Sequence, residues 1–125
     1  MAKEMPKILL VEDDSTMATL LKTLLEMEGY QVSVVKDKGL DEILDVLETL
    51  KPDLALIDVN MRQVNGFDLL RHIRKMEELH ALRVVMSSGM DFSDQCRDAG
   101  ADKFILKPYM PDDLIAMIRQ LIQAK

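Results

Sequence analysis

The sequence predicts an α/β fold, a doubly wound five-stranded parallel sheet with five helices, and three observations predict it. Four short apolar runs each stop at a polar group: Ile8 to Val11 at Glu12-Asp13, Leu54 to Ile57 at Asp58, Val84 to Met86 at Ser87-Ser88, and Phe104 to Leu106 at Lys107. Apolar residues are consecutive within the runs, as in strands covered by helices on both faces. Between the runs the hydrophobic period turns helical, and short alternating elements demand right-handed crossovers between parallel strands. Such strands align their carboxyl ends along one edge, where open sheets bind ligands. Three carboxylates, a hydroxyl and an ammonium then converge there.

Each element has its own signals. After the first strand, Met17, Leu20, Leu21, Leu24 and Leu25 recur at helical spacing, with Asp14 or Ser15 as N-cap and Gly29 as the stop. Gln31 to Val35 is a β-rich second strand. Ile43, Leu44, Val46, Leu47 and Leu50 mark a second helix, which Lys51-Pro52 ends. Leu54 to Ile57 is the third strand, Asn65-Gly66 a turn, and Leu69, Leu70, Ile73 and Met76 one face of a third helix. Arg83 to Ser87 forms the fourth strand, and a short helix near Ser93 to Ala99 stops at Gly100. Lys103 to Leu106 is the fifth strand. Pro111 opens a last helix whose buried stripe is Leu114, Met117, Ile118, Leu121 and Ile122.

With 125 residues the chain fits one domain, 1–125, since domains commonly hold roughly 100 to 150 residues. No linker, repeat or low-complexity tract divides it. Sixteen basic against 22 acidic side chains give a formal charge of -6, which opposes the phosphate contacts that dominate nucleic-acid binding, so no direct nucleic-acid partner is expected. No apolar run approaches the ~20 residues of a membrane helix, and Met1 to Pro6 lacks a signal-peptide core. A cytoplasmic protein without membrane association is expected. Cys96 alone permits no internal disulfide and falls at an inward helix position. The ten methionines read as flexible core filler, and His72 and His80 as solvated side chains without metal-ligand spacing.

Taken singly, the polar stops are ordinary. Glu12-Asp13 suits a helix N-terminus, Asp58 a strand-end turn and Lys107 a solvated surface. Together they form a pocket. Packed carboxylates repel one another and raise at least one pKa unless a cation intervenes. Hard oxygen donors without His or Cys favour Mg²⁺ or Mn²⁺, and Mg²⁺ commonly bridges carboxylates to a phosphoryl group. Carboxylate attack on phosphorus needs positioning and charge neutralisation. A metal, the Lys107 ammonium and the hydroxyl of Ser88 or Ser87 can each take one phosphoryl oxygen.

The strings ILLVEDD, LALIDVN, VVMSSG and FILKP resemble the receiver (response-regulator) domain of two-component signalling, over a core from about Lys7 to Gln123. The resemblance implies a flavodoxin-like sheet of strand order 2-1-3-4-5. It makes Asp58 the phosphoacceptor and Asp13 and Asp58 direct Mg²⁺ ligands, with the Asn60 backbone carbonyl a further ligand and Glu12 a ligand through water. Lys107 would pair with the phosphoryl oxygen, and a cis peptide is implied between Lys107 and Pro108. Ser88, with Ser87 as the alternative, would supply the hydroxyl. Phe104 falls where the family places an aromatic that changes rotamer on activation, and Tyr109 is expected to pack beside the pocket. The phosphodonor would be a sensor histidine kinase or a histidine phosphotransfer protein. Signal would leave by the surface from the fourth strand to the fifth helix, toward a downstream protein or a fused output domain. The start and the polar end Gln123-Ala124-Lys125 fit a free-standing regulator or a piece of a longer chain.

Several positions depart from the family pattern. Arg62 stands where Pro is usual and Asn65 where Asp is common, which leaves that loop less stiff. The chain from Ser88 to Gly100 is short, so the fourth helix should be abbreviated. Met90 replaces a group that often orients attacking water, which implies slow loss of phosphate. Three other readings compete. A haloacid-dehalogenase-type phosphatase needs a second acid where this chain has Asn60. A flavin-binding protein needs a hydroxyl-rich phosphate loop after the first strand. A degenerate receiver acting only as an interaction module would not keep Glu12, Asp13, Asp58 and Lys107 together. The expected protein is a signalling domain that modifies itself, not a turnover enzyme.

Overall fold

In the computed structural model, which describes residues 5–36 and 38–123, the apolar runs become parallel strands. Met1 to Glu4 and the Ala124-Lys125 tail, read above with the termini, lie outside the described residues. Strands β1 (Lys7–Val11), β2 (Gln31–Val35), β3 (Leu54–Asp58), β4 (Arg83–Ser88) and β5 (Lys103–Leu106) form one sheet in the order β2-β1-β3-β4-β5. Helices α1 (Ser15–Met27), α2 (Leu40–Leu50), α3 (Gly66–Lys75), α4 (Ser93–Ala99) and α5 (Pro111–Gln123) alternate with them.

Strand alternation divides the interior into two cores. Leu9, Val11, Ala55, Ile57, Val84 and Met86 face a cluster completed by Ile43 and Leu47 of α2, Leu69, Leu70 and Ile73 of α3, and Cys96 of α4. Their neighbours Ile8, Leu10, Leu54, Leu56, Val85 and Ile105 pack instead with Leu21 and Leu25 of α1 and Leu114, Ile118 and Leu121 of α5. The central strands are therefore apolar on both faces, as their consecutive apolar residues require. Register is in step across the sheet, so Val11 pairs with Ile57 and Asp58 with Ser87. That alignment brings the strand ends, and their polar stops, to one edge.

The caps follow the local chemistry. Asp14 accepts from the Met17 amide and starts α1, which settles the choice between Asp14 and Ser15. Asn65 accepts from the Phe67 and Asp68 amides and starts α3. One expectation about α1 is corrected. Leu20 is 46% exposed, and Ala18 joins Leu21 and Leu25 in the buried stripe. The helix rolls so that its small residue faces inward, a choice hydrophobicity alone does not make. Helix α4 is short at seven residues, as the shortened chain between Ser88 and Gly100 requires.

At the opposite end of the sheet Arg74 cross-links three segments. Its guanidinium donates to the carbonyls of His80, Leu82 and Gly100 and to Asp102 Oδ2, which also accepts from the Val84 amide. Arg119 of α5 pairs with Glu28 just beyond α1. Among the described residues no helix is long and apolar enough to cross a membrane.

Candidate functional site

Glu12, Asp13, Asp14, Asp58, Asn60, Met61, Arg62 and Lys107 line an open cleft of about 580 Å³ at the carboxyl edge of the sheet. Each arrives by a separate route. Glu12 and Asp13 follow β1, Asp58 ends β3, and Asn60 to Arg62 begin the loop to α3. Lys107 follows β5, and its amide donates to the Ser88 carbonyl at 2.8 Å, which holds the end of β5 against β4. The Lys107-Pro108 peptide is cis.

The Lys107 ammonium sits between two carboxylates. Its Nζ is 3.2 Å from Asp58 Oδ2 and 3.5 Å from Glu12 Oε1, with the three side chains 26%, 12% and 7% exposed respectively. Burial pushes the Glu12 carboxyl above its usual range, and the Asp58 charge adds to the rise. The Asp14 amide, which donates to Glu12 Oε2, and Lys107 oppose it. Positive charge is thus favoured beside these carboxylates. In this structure an ammonium supplies the charge.

The other predicted residues occupy distinct positions. Arg62 donates its backbone N–H to Asp13 Oδ2 at 3.3 Å. Ser88 Oγ accepts from Asn60 Nδ2 at 3.3 Å and from the Met90 amide at 3.1 Å. Both of its acceptor positions are then used, and its own proton is left to donate. Ser87 is also buried, but it pairs in register with Asp58 and its carbonyl accepts from the Val59 amide. The Asn60 amide links Ser88 to the cleft. Phe104 is half-buried against the cluster under α2, α3 and α4. Tyr109 is half-buried against the other core, the one under α1 and α5. His72 and His80 are exposed, with Nδ1 against the carbonyls of Asp68 and Glu77. Cys96 is fully buried, and burial pushes its thiol up to about 11.

Sequence reading missed the full role of Gly66, recognising only a turn. A Cβ there would lie 2.6 Å from the Asp58 carbonyl oxygen and 2.7 Å from Val59 Cα. The first turn of α3 is therefore pressed against the end of β3, and only glycine fits. An antiparallel bridge between Asn60 and Asn65, with the Gly66 amide donating to the Val59 carbonyl, ties the ends of the intervening loop. The departures at Arg62 and Asn65 are thus accompanied by backbone ties.

Among the described residues no group of three or more His, Cys, Asp or Glu side chains forms a ready-made metal cage. Lys107 holds Asp58 and Glu12 to itself, and Mg²⁺ characteristically takes one or two carboxylates while keeping several waters. The donor set in the cleft fits such an ion: carboxylate and carbonyl oxygens, with no thiolate or imidazole in the lining.

The family model described as "Response regulator receiver domain" matches residues 8–119. The transcriptional regulatory protein CpxR of Escherichia coli K12 is 39% identical over 123 residues, covering 95% of this chain and 50% of that protein. The DNA-binding response regulator MtrA of Mycobacterium leprae is 32% identical over 115 residues, covering 90% and 49%. This chain therefore spans about half the length of the curated relatives it matches. The solved signal receiver domain of a histidine kinase from Syntrophus aciditrophicus superposes with a TM-score of 0.82 at 33% identity, covering 94% of this chain and 89% of that one. The chemotaxis response regulator CheY4 of Vibrio cholerae superposes at 0.85 with 22% identity, covering 94% and 98%, a likeness of fold.

Proposed function

This chain belongs to the response regulator receiver domain family, and on that premise we propose that it receives a phosphoryl group on Asp58 from a partner's phosphohistidine. The observation that carries this reading is the position of Lys107, shared between Asp58 and Glu12 at the mouth of an acidic cleft. An Asp58 carboxylate oxygen attacks phosphorus, the P–N bond to the donor imidazole breaks, and the imidazole leaves with the electron pair. An aspartyl phosphate remains. This mixed anhydride hydrolyses, which makes the mark reversible.

Asp13, Asp58 and the Asn60 backbone carbonyl would hold Mg²⁺, with Glu12 reached through water. The ion would neutralise charge on the phosphoryl oxygens. Lys107 turns from the carboxylate to a second phosphoryl oxygen, and the free proton of Ser88 serves a third. Drawing Ser88 inward biases the β4-to-α5 surface between two states, a bias that counts only where a partner binds them differently. The domain acts as a cytoplasmic switch and not as a turnover enzyme. Its donor is a sensor histidine kinase or histidine phosphotransfer protein, and its target is a downstream protein or a fused output domain. Nucleic acid is not a direct partner of this unit, given its charge of -6.

Beryllofluoride with Mg²⁺ mimics the bound phosphoryl group and provides the test. Tyrosine fluorescence of the wild type should change saturably, and Asp58→Ala should abolish the change. Equal responses in the two proteins would remove Asp58 from the site.

A further inference from the structure

Tyr109 carries a polar atom that nothing in the fold explains. Its hydroxyl oxygen has less than 1 Å² of exposed surface and is the one buried side-chain nitrogen or oxygen, among the described residues, without a hydrogen-bond partner. An orphan of this kind costs about 1–3 kcal/mol, and a phenylalanine would fill the same apolar space without that cost. The ring belongs to the core under α1 and α5. Glu12 continues the alternation of Ile8 and Leu10 toward that core, as Asp58 continues that of Leu54 and Leu56. The phenol thus lies on the same side of the sheet as the two carboxylates that share Lys107.

We propose that Tyr109 is a positioning residue of the Asp58 site, donating its hydroxyl proton to a water seated on the Glu12 carboxylate. Glu12 keeps that partner when Lys107 turns away, and the water is held ready for a divalent cation. Burial, with the charges of Glu12 and Asp58, pushes the phenol up to about 12, so it remains a donor at neutral pH. The inference rests on the metal-dependent reading of the site. It adds a residue that reaches the ion only through Glu12 and water.

Tyr109→Phe removes the hydroxyl alone. Calorimetric titration with Mg²⁺ should show affinity reduced about 5- to 10-fold, the size of one hydrogen bond, while Tyr30→Phe, also in that core, leaves it unchanged. The chain has no tryptophan and two tyrosines, so fluorescence of the Tyr30→Phe protein reports Tyr109 alone. Mg²⁺ should alter it. Affinity of Tyr109→Phe within twofold of wild type would overturn the proposal, and a raised unfolding temperature beside it would mark a merely misplaced hydroxyl. Wild-type Mg²⁺ binding that Asp58→Ala does not weaken would instead overturn the underlying reading of the site, and the proposal with it.

Discussion

Lys107 Nζ and Asp58 Oδ2 are 3.2 Å apart although 49 residues separate them in sequence. The same ammonium reaches Glu12, so one side chain offsets part of the charge of two carboxylates that burial and mutual repulsion destabilise. It also competes for them with any metal ion. Lys107→Met should therefore lower stability without Mg²⁺ by about 1–2 kcal/mol, and Mg²⁺ should restore part of the loss by binding only the folded state. Its Mg²⁺ affinity should rise several-fold, since a competing charge is gone. Chemical denaturation with and without the ion measures both effects.

Gly66 has a packing role that a helix-propensity scale inverts. Alanine is the better helix former by about 0.8–1 kcal/mol, yet its Cβ would strike the Asp58 carbonyl and Val59 Cα. Gly66→Ala should cost about 1–3 kcal/mol and weaken Mg²⁺ binding, because the end of β3 must shift. Urea unfolding paired with a metal titration reads the two together.

Arg74 provides the contrasting case. Its guanidinium closes the far end of the sheet through three carbonyls and Asp102. Arg74→Ala should destabilise the fold by about 2–4 kcal/mol, as removal of a partly buried charged network does. Arg74→Lys recovers only part, since an ammonium cannot span the same set of acceptors. At temperatures where the variants remain folded, Mg²⁺ affinity should match wild type.

Met90 is 63% exposed and brings only its backbone amide to Ser88. Its thioether offers no polar group strong enough to hold attacking water over an aspartyl phosphate. Met90→Glu should accelerate loss of radiolabelled phosphate by about 10-fold, within the range of a positioned acid or base. A rate equal to or slower than wild type would show that this position does not limit hydrolysis.

The alternation of strands and helices was legible because apolar runs and helical stripes carry it directly. Asp58 and Lys107 were legible because a polar residue ending an apolar strand falls at the sheet edge. Other features depend on tertiary placement. The contact from Arg62 to Asp13 uses a backbone N–H that every residue except proline has, so only the departure from proline hinted at it. Leu20 lies outside the buried stripe and Ala18 within it because the roll of α1 depends on the space above the sheet. The crowding at Gly66 and the four acceptors of Arg74 arise where distant segments meet. Two adjacent serines are equivalent as residue types. The Asn60 amide reaches Ser88 through space, while Ser87 holds the register position beside Asp58, and neither contact is written in the residue type.

The most direct measurement maps the phosphoryl group itself. The wild-type protein is incubated with Mg²⁺ and acetyl phosphate, the acyl phosphate is trapped by borohydride reduction, and peptides are sequenced by tandem mass spectrometry. The expected result is one reduced site, at Asp58, dependent on Mg²⁺ and absent from Asp58→Ala. Incorporation at another residue, or equal incorporation in Asp58→Ala, would contradict the assignment of Asp58 as phosphoacceptor.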